Sequence, residues 1–369
     1  MNYSHSQSRL EINLRDLNDN FLNIRKKIGA RKIMAVVKAD AYGHGMKECV
    51  RSLNSLENGP EYYAVATVDE AIELKKHIGK QQILLLEPIN QKNCSILKNN
   101  IIPTVFNLGH VEYLKKLNKK IKIHIKIDTG MKDFGIDYRE AVDFFKIISS
   151  KPWIQIDGVY SHFATSDEKD KTFAIKQLGR FKKIIKTLKK IGINYGLAHM
   201  ANSGAILNLK DSYFNMVRPG LIIYGYYPSD YVLKSIKIKP TMSLHSEVSE
   251  IKKIKKNESV SYGRRFIAND SSKIAVIPVG YADGARRGLS NKIKVIINGK
   301  FYQQIGTIQM DKMIVDIGKN KVDINDKVIL IGEDKNKKIS VEEWARLLNT
   351  ISYEIICGFG KRIERIYRN

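Results

Sequence analysis

The sequence predicts an α/β fold: a (β/α)8 TIM barrel in the N-terminal part, followed by a mainly β domain in the C-terminal part. Short β-rich runs alternate with helical stretches about eight times over roughly 200 residues, which favours a closed barrel of parallel strands over an open sheet. After the segment RPGLIIYGYYP, short alternating runs joined by Gly, Asn or Asp turns replace that pattern. We expect the barrel domain over residues 1–235 and the β domain over residues 236–369.

The elements of the barrel follow from runs rich in Val, Ile and Tyr that are separated by amphipathic stretches. A first helix is expected over residues 10–28, before the first strand. Asp69 is expected to cap the helix that follows the second strand, because TVDEA places carboxylates where the orphan N–H groups point. The predicted strands are 33–38, 62–67, 82–86, 101–106, 121–127, 154–160, 196–199 and 215–218, and the later helices are 69–77, 108–117, 138–148 and 170–191.

Two local signals define elements of the β domain. The residues NGK at 298–300 lie between two apolar runs and predict a tight hairpin. The segment SVEEWARLLN predicts one compact helix with Ser340 as its N-cap.

Composition excludes several classes of protein. Cys49, Cys94 and Cys357 lie far apart without CxxC spacing, so neither a disulfide framework nor a metal site is expected. No segment approaches the ~20 apolar residues of a membrane span, and the N-terminal MNYSHSQSRLEINLRD lacks the apolar core of a signal peptide. We therefore expect a cytoplasmic protein without a membrane partner.

The net charge of +25 raises the question of a nucleic-acid partner. The excess is mostly Lys, scattered along the chain in runs such as FKKIIKTLKK, where apolar and basic residues alternate at helical spacing. That pattern is typical of solvated helix faces, and no DNA- or RNA-reading motif accompanies it. We expect no nucleic-acid partner; salt-sensitive retention on DNA would support the alternative.

Side chains suited to catalysis cluster at the predicted strand ends. In a β/α barrel the active site lies where the loops after the strands converge. Five of the eight predicted strand ends carry ionisable or phosphate-suited residues: Lys38 with Tyr42, Lys126 with Asp128, His162, His199 with Asn202 and Ser203, and Arg218 with Gly220.

These residues suggest a pyridoxal 5'-phosphate (PLP) site. Ser203 opens a helix, where backbone N–H groups bind phosphate, and Gly220 permits a second close backbone approach. A lysine at a strand end nearby, Lys38, is suited to forming an imine with an aldehyde. Arg218 keeps its proton at ordinary pH, so facing the pyridine nitrogen it would leave that nitrogen unprotonated.

The motifs together resemble the alanine racemases, PLP enzymes of fold type III. The resemblance runs in order through both domains. The segments that carry it are AVVKADAYGHG, KIDTGM, VYSHFATSDE, HMANSGAI, VRPGLIIYG, SVSYGRRF, VGYADG and YEIICGFGKRIERIY.

This resemblance implies a racemase that interconverts L- and D-alanine with two bases. Lys38 would hold PLP and act on one face of the substrate carbon, and Tyr262 of the partner subunit would act on the other face, in a head-to-tail homodimer. Because the pKa of a free tyrosine is about 10, Tyr262 needs nearby positive charge to act as a base. We expect His162 to supply it, with Arg218 completing the chain towards the cofactor.

Further positions match cofactor- and substrate-binding residues of the family. His199 is expected to orient Arg218, and core packing is its alternative role. Three other positions also have a purely structural alternative. Tyr353 would pack in the core, Tyr281 would belong to a turn, and Asp311 would end a strand. The resemblance assigns Tyr42, Asn202, Ser203, Gly220 and Tyr353 to the cofactor, Tyr281 to a gate, and Met310 and Asp311 to the loop that meets the substrate carboxylate.

The sequence departs from the family pattern at the residues that bind the substrate carboxylate. The family usually reads DTGM-x-R-x-G, and here Asp133 stands where that arginine is expected. In many members the lysine matching Lys126 is carbamylated, an anion that would repel Asp133. We predict that Lys126 is unmodified and pairs with Asp133, and that Lys132 is an alternative ligand for the carboxylate.

Other departures affect the choice of substrate. Gln309 stands where the family commonly has a small residue or cysteine, and Ala285 and Arg286 replace a common Tyr-Pro pair. Alanine is the expected substrate, with serine, a larger amino acid or an anionic one as alternatives. Two other functions are a decarboxylase or D-amino-acid lyase of the same fold type and a non-enzymatic PLP-homeostasis barrel. The decarboxylases of this fold type are normally longer and have a cysteine-containing active-site loop that is not found here, and the homeostasis barrel lacks the β domain.

Overall fold

The structure is a computed structural model that describes residues 7–93 and 101–369, so Cys94 lies outside the described residues. The chain forms two compact units. The barrel unit comprises residues 16–239, and the β unit comprises residues 240–369 together with the described part of the first fifteen residues. In the described ranges no helix is long and apolar enough to cross a membrane. The same ranges contain no cluster of His, Cys, Asp or Glu suited to a metal ion.

The barrel unit is a closed ring of eight parallel strands, as predicted. Strands such as IMAV and YYAV are buried along their length because side chains cover both faces of the sheet. Strand β1 (Arg9–Asn13) precedes the barrel, whose strands are β2 (Lys32–Val36), β3 (Tyr62–Val65), β4 (Gln82–Pro88), β5 (Ile101–Val105), β6 (Ile121–Asp128), β8 (Ile154–Tyr160), β9 (Leu197–His199) and β10 (Met216–Val217), with the short β7 (Ile136–Asp137) beside β6.

Helices follow the strands of the barrel and lay their apolar sides against it. The predicted cap at Asp69 is wrong. Thr67 caps that helix, and Glu70 completes a capping box with it, because a threonine hydroxyl one residue before the helix reaches the N–H of Glu70. The helices are α1 (Leu14–Ile28), α2 (Lys38–Tyr42), α3 (Met46–Asn54), α4 (Val68–Lys75), α5 (Leu108–Lys115), α6 (Ala141–Ser149), α7 (Thr172–Lys190) and α8 (Ser203–Asn208), with 3-10 turns at Lys210–Ser212 and Leu221–Tyr224.

The β unit is built on a mainly antiparallel sheet of ten strands, in the order β12-β15-β18-β17-β16-β19-β11-β1-β21, with β20 paired to β19. Strands β13 and β14 form a separate small ribbon. The bounds are β11 (Met242–Glu247), β12 (Glu250–Ile254), β13 (Ser259–Val260), β14 (Phe266–Ile267), β15 (Ser272–Ile277), β16 (Lys294–Ile297), β17 (Lys300–Ile305), β18 (Met313–Gly318), β19 (Lys327–Asp334), β20 (Lys337–Ile339) and β21 (Glu364–Arg368), with helices α9 (Val341–Leu347) and α10 (Ser352–Cys357) and 3-10 turns at Tyr262–Arg264 and Arg287–Leu289.

Both local signals of the β unit are confirmed. Asn298 and Gly299 connect β16 to β17 with φ angles of 53° and 75°, which is why this turn takes Asn-Gly. The Ser340 side chain accepts a hydrogen bond from the backbone N–H of Glu343 and caps α9.

The prediction of a first helix over residues 10–28 is wrong at its start. Residues 9–13 form β1, which pairs antiparallel with β11 and parallel with β21, and the helix begins only at Leu14. The segment RLEIN alternates polar and apolar residues, the period of a half-buried strand, and Leu10 and Ile12 are fully buried. The N-terminal strand therefore belongs to the β unit and not to the barrel domain expected over residues 1–235.

Candidate active site

Lys38 lies just beyond the C-terminal end of the first barrel strand. That strand stops at Val36 and not at Lys38 as predicted, and Lys38 opens the short helix α2. The next four residues, 39–42, all have φ angles of 53–54°, a left-handed turn that L-residues normally avoid at about 1–2 kcal/mol each. Two carboxylates hold the turn: Glu70 accepts from the N–H of Ala39 at 2.6 Å, and Asp40 accepts from the N–H of Met46 at 2.7 Å.

A second group of residues forms a polar corner suited to a phosphate. The hydroxyl oxygen of Ser203 accepts hydrogen bonds from the backbone N–H groups of Gly220 and Ile222, at 3.0 and 3.5 Å. The hydroxyl of Tyr42 lies against Gly220 so closely that a Cβ at this position would collide with it. Asn202 caps α8 by accepting from the N–H of Ala205. The structure thus brings Tyr42, Ser203 and Gly220 together, whereas Asn202 fixes the helix that carries Ser203.

Arg218 is buried, and backbone carbonyls hold its guanidinium. It donates to the carbonyls of Ser161 at 2.7 Å, His199 at 3.1 Å and Met200 at 3.3 Å. Burial lowers the pKa of Arg218 to about 10, so it remains a cation at neutral pH. Its Nε–H donates to no group within the described residues.

The predicted contact of His199 with Arg218 is present and extends into a buried chain of hydrogen bonds. Arg218 donates to Nδ1 of His199 at 2.8 Å, so the proton of a neutral His199 is on Nε2. That nitrogen lies 2.9 Å from Nδ1 of His124, whose Nε2 in turn lies 3.4 Å from a carboxylate oxygen of Asp157. Burial lowers the pKa of both imidazoles, so each is neutral and carries one N–H group. His199 therefore donates to His124, and His124 donates to Asp157.

His124 and Asp157 were not among the site residues predicted from the sequence. Burial alone would raise the pKa of Asp157, but its hydrogen bonds with His124 and Tyr62 and the nearby ammonium of Lys122 bring it to about 2. A signal for His124 was available, because it lies two residues before Lys126 on one strand and so faces the same side.

His162 cannot provide the positive charge that we expected from it. Its Nδ1 lies 3.2 Å from the guanidinium of Arg218. Burial, and then the charges of Arg218, Lys126 and Lys38, lower its pKa to about 3. His162 is therefore neutral at pH 7, and Arg218 is the cation of this group.

The neutral histidines make the stability of the chain sensitive to acid. The folded pKa is about 3 for His162 and about 4 for His110, both below the unfolded value of about 6.5. The unfolded chain thus binds more protons, so this stability is complete above pH 6.5 and is lost as the pH falls towards 4 and 3. At pH 5 each of these histidines should lower the free energy of unfolding by about 2 kcal/mol relative to its value at neutral pH.

The loss of stability in acid is measured by unfolding the apoprotein with urea at several pH values between 7 and 5 and determining the free energy of unfolding at each. In His110→Asn the slope against pH should fall by about one proton, or about 1.4 kcal/mol per pH unit. Equal slopes for the variant and the unchanged chain would contradict the assignment of a neutral, buried His110.

The predicted ion pair between Lys126 and Asp133 is present at the mouth of the barrel. The ammonium of Lys126 lies 2.7 Å from Oδ2 of Asp133 and 5.6 Å from the centre of the Phe134 ring. Lys126 is buried, and this desolvation lowers its pKa despite the carboxylate. Lys132 is 68% exposed and pairs with Asp128 at 3.1 Å and Asp137 at 3.4 Å, so its charge is already neutralised.

The remaining predicted site residues lie in the β unit. The Tyr262 side chain is 68% exposed on a 3-10 turn. Tyr281 and Met310 lie on neighbouring loops, since the N–H of Tyr281 donates to the carbonyl of Gln309 and that of Ala282 donates to the carbonyl of Met310. Tyr353 lies in α10, and its role at the phosphate stays a prediction.

Asp311 belongs to an ion-pair network that the sequence analysis missed. The guanidinium of Arg362 donates to Asp311 at 2.7 Å and to Asp283 at 2.8 Å. Asp283 is buried and accepts from the N–H of Gly280, at the start of the loop that carries Tyr281. Arg362 therefore joins the Tyr281 loop to the Met310–Asp311 loop, so Asp311 does more than end a strand.

Comparisons with known proteins agree with this architecture. Two family models match: alanine racemase, N-terminal domain, over residues 12–228, and alanine racemase, C-terminal domain, over residues 241–367. Alanine racemase 2 of Caldanaerobacter subterraneus subsp. tengcongensis is 42% identical over 373 residues, covering 98% of this chain and 94% of the relative. Among solved structures, the alanine racemase of Clostridium difficile 630 has a TM-score of 0.91 at 36% identity, covering 98% of this chain and 95% of its own. The alanine racemase of Bartonella henselae, with covalently bound pyridoxal phosphate, has a TM-score of 0.88 at 30% identity, covering 98% and 99%.

Proposed function

The chain belongs to the alanine racemase family, and we propose that it interconverts L- and D-alanine with PLP as its cofactor. The observation that carries this proposal is the arrangement at the barrel mouth. Three features lie at the ends of barrel strands: Lys38, the buried Arg218, whose Nε–H has no acceptor in residues 7–93 and 101–369, and a separate corner suited to phosphate. The β unit and the match to both family models argue against the homeostasis barrel.

The residues of this corner fit PLP. A phosphate needs hydrogen-bond donors, and the corner contains the hydroxyls of Tyr42 and Ser203. The oxygen of Ser203 already accepts from the N–H groups of Gly220 and Ile222, so its O–H group can donate to the phosphate. Gly220 allows this backbone approach because a side chain there would meet Tyr42. The Nε–H of Arg218 is available to a pyridine nitrogen, which accepts a hydrogen bond. When bound, PLP supplies a covalent link to the substrate amine and an electron sink that makes the α-proton acidic.

The residues of the chain then divide the work of racemisation. The amine of Lys38 and the hydroxyl of Tyr262 act as two bases on opposite faces of the α-carbon, and each removes the proton from one enantiomer and returns one to form it. Arg218 keeps its proton, because its pKa of about 10 is far above neutrality. A guanidinium that keeps its proton would leave a pyridine nitrogen facing it unprotonated. The neutral His199–His124 pair keeps the guanidinium of Arg218 in place.

The exposure of Tyr262 supports a shared active site in a homodimer. A tyrosine hydroxyl serves as a base only near positive charge and away from bulk water. In the single chain the side chain of Tyr262 is 68% exposed. We propose that it completes the site of a partner subunit in a head-to-tail arrangement, in line with the family.

The function is tested by giving the purified holoenzyme a panel of L-amino acids and separating the products on a chiral column. We expect D-alanine as the main product, with slower formation of D-serine if the pocket admits a hydroxyl. Dominant conversion of a larger or an anionic amino acid would replace alanine as the substrate. If no D-enantiomer forms from any amino acid of the panel, the racemase proposal is wrong.

The pair of Lys126 with Asp133 should weaken binding of the substrate carboxylate. We expect Lys126 to be the cation for that carboxylate, and Asp133 then competes with it for the same ammonium. Asp133→Asn removes the competing charge, so KM for alanine should fall by about 10-fold, or about 1.4 kcal/mol, in steady-state kinetics.

The matched control is Asp137→Asn, which removes a carboxylate that pairs with Lys132 and Arg139 instead. Its KM for alanine should change little. An unchanged or higher KM for Asp133→Asn would contradict the competition. Intact-mass measurement of the unaltered protein should show no added carbon dioxide, because carbamylated Lys126 would repel Asp133.

A further inference from the structure

We propose that Thr307 and Gln309 are positioning residues that hold the backbone of Tyr262 where its hydroxyl serves as a base. This inference rests on the proposed function, because it assigns Tyr262 the role of the second base. It adds two side chains that act on Tyr262 through its backbone and its neighbour, Ser261.

The turn that carries Tyr262 is strained and gains little from packing. Ser261 and Arg264 have φ angles of 66° and 49°, in the left-handed region that costs a non-glycine residue about 1 kcal/mol or more. Gly263 between them has a φ of 72°. Because Tyr262 is largely exposed, packing of its ring does not hold the turn in place. The strained conformation therefore depends on hydrogen bonds from neighbouring residues.

Three short hydrogen bonds provide that support from the segment 306–309. The hydroxyl of Thr307 donates to the carbonyl of Tyr262 at 2.7 Å. The hydroxyl of Ser261 donates to the carbonyl of Thr307 at 2.6 Å and accepts from the amide of Gln309 at 3.2 Å. Thr307 is fully buried, so water cannot replace its bond to the carbonyl of Tyr262.

Gly306 allows the two segments to lie this close. Its φ angle is 72°, and a Cβ there would lie 2.8 Å from the carbonyl oxygen of Val260. Gln309 also accepts the N–H of Tyr281 at its own carbonyl, at 2.9 Å. One short segment thus fixes the Tyr262 turn and the neighbouring Tyr281 loop against each other.

Loss of this support should affect one of the two proton transfers more than the other. A small displacement of a base can cost about 10²-fold in rate, because proton transfer requires close approach. Lys38 belongs to the barrel unit, whereas the hydrogen bonds that hold this turn join residues of the β unit. In a Thr307→Val variant, the transfer at Tyr262 should become slower while the transfer at Lys38 keeps its own rate.

The test is the primary deuterium isotope effect on kcat/KM for each enantiomer of α-deuterated alanine, measured with PLP-saturated full-length protein. In Thr307→Val the isotope effect should rise for the enantiomer whose proton Tyr262 removes and fall for the other, with a decrease in kcat of about 10-fold or more. Thr307→Ser keeps the hydroxyl and should restore both isotope effects. Gln309→Leu should shift them in the same direction by less, because its bond is longer and reaches Tyr262 only through Ser261.

Thr187→Val is the matched control, since Thr187 also donates to a backbone carbonyl but on the exposed face of α7. Loss of activity with unchanged isotope effects in Thr307→Val would mean fewer folded molecules and would overturn the positioning role. The melting temperature and the bound PLP of each variant separate the two cases. Absence of racemase activity in the unaltered protein would instead refute the proposed function itself.

Discussion

The Lys38→Ala variant is expected to lose racemase activity and the yellow colour of the PLP holoenzyme together. Lys38 is the lysine that follows the first barrel strand, next to the corner formed by Tyr42, Ser203 and Gly220. In the proposed mechanism, removal of its amine would take away both the covalent attachment of PLP and one of the two bases. Because a positioned base contributes about 10²–10⁴-fold, the remaining kcat should fall by at least that factor.

The measurement is the rate of D-alanine formation together with the absorbance spectrum of the purified protein. Lys47→Ala is the matched control, because Lys47 lies on the exposed side of α3, where it pairs with Glu48. It should keep both colour and rate. A Lys38→Ala protein that keeps full activity, or one that keeps the spectrum of the covalently bound cofactor, would contradict the assignment of Lys38.

The second large effect is the recovery of activity on mixing two inactive variants. Lys38→Ala and Tyr262→Phe should each be nearly inactive as a pure protein, because each lacks one of the two bases. In a head-to-tail dimer, a mixed pair has one site with both bases and one site with neither. Random exchange makes half of the dimers mixed, so the mixture should regain about a quarter of the activity of the unaltered protein.

Subunit exchange is verified with different affinity tags on the two variants, so that the mixed dimer can be isolated and assayed. Each variant mixed with itself is the control and should show no recovery. An isolated mixed dimer without activity would count against the shared site, although Lys38 and Tyr262 would remain candidate bases. A monomer in solution would exclude the arrangement altogether.

Much of the barrel and its site could be predicted because both depend on local patterns. Parallel strands of a barrel are buried on both faces and read as apolar runs, and residues directly after them face one end. Lys38, His162, His199 and Arg218 were identified in this way. The Lys126–Asp133 pair was predicted from the resemblance, because Asp133 stands where the family has an arginine beside the lysine that matches Lys126, and an unmodified ammonium attracts a carboxylate.

Features that depend on distant parts of the chain could not be predicted. The chain of hydrogen bonds from His199 to Asp157 passes through His124 on β6, which is separated from β9, the strand of His199, by β8. The order of the strands is set by the closure of the barrel. The pKa of His162 depends on how completely the folded chain excludes water, which the sequence does not report. Residues 10–13 were assigned to a helix because the strands that pair with β1, β11 and β21, lie far away in the sequence, at Met242–Glu247 and Glu364–Arg368.

The pairing of β1 with β21 has a consequence for how the protein is made. These two strands are about 350 residues apart in sequence, yet they lie side by side in one sheet. A ribosome adds about 5–20 residues per second, so β1 waits on the order of 20–70 seconds for its last neighbour to be synthesised. The barrel, complete by residue 239, has time to fold first. Until synthesis ends, β1 keeps an unpaired edge, and the cell must protect that edge from other chains.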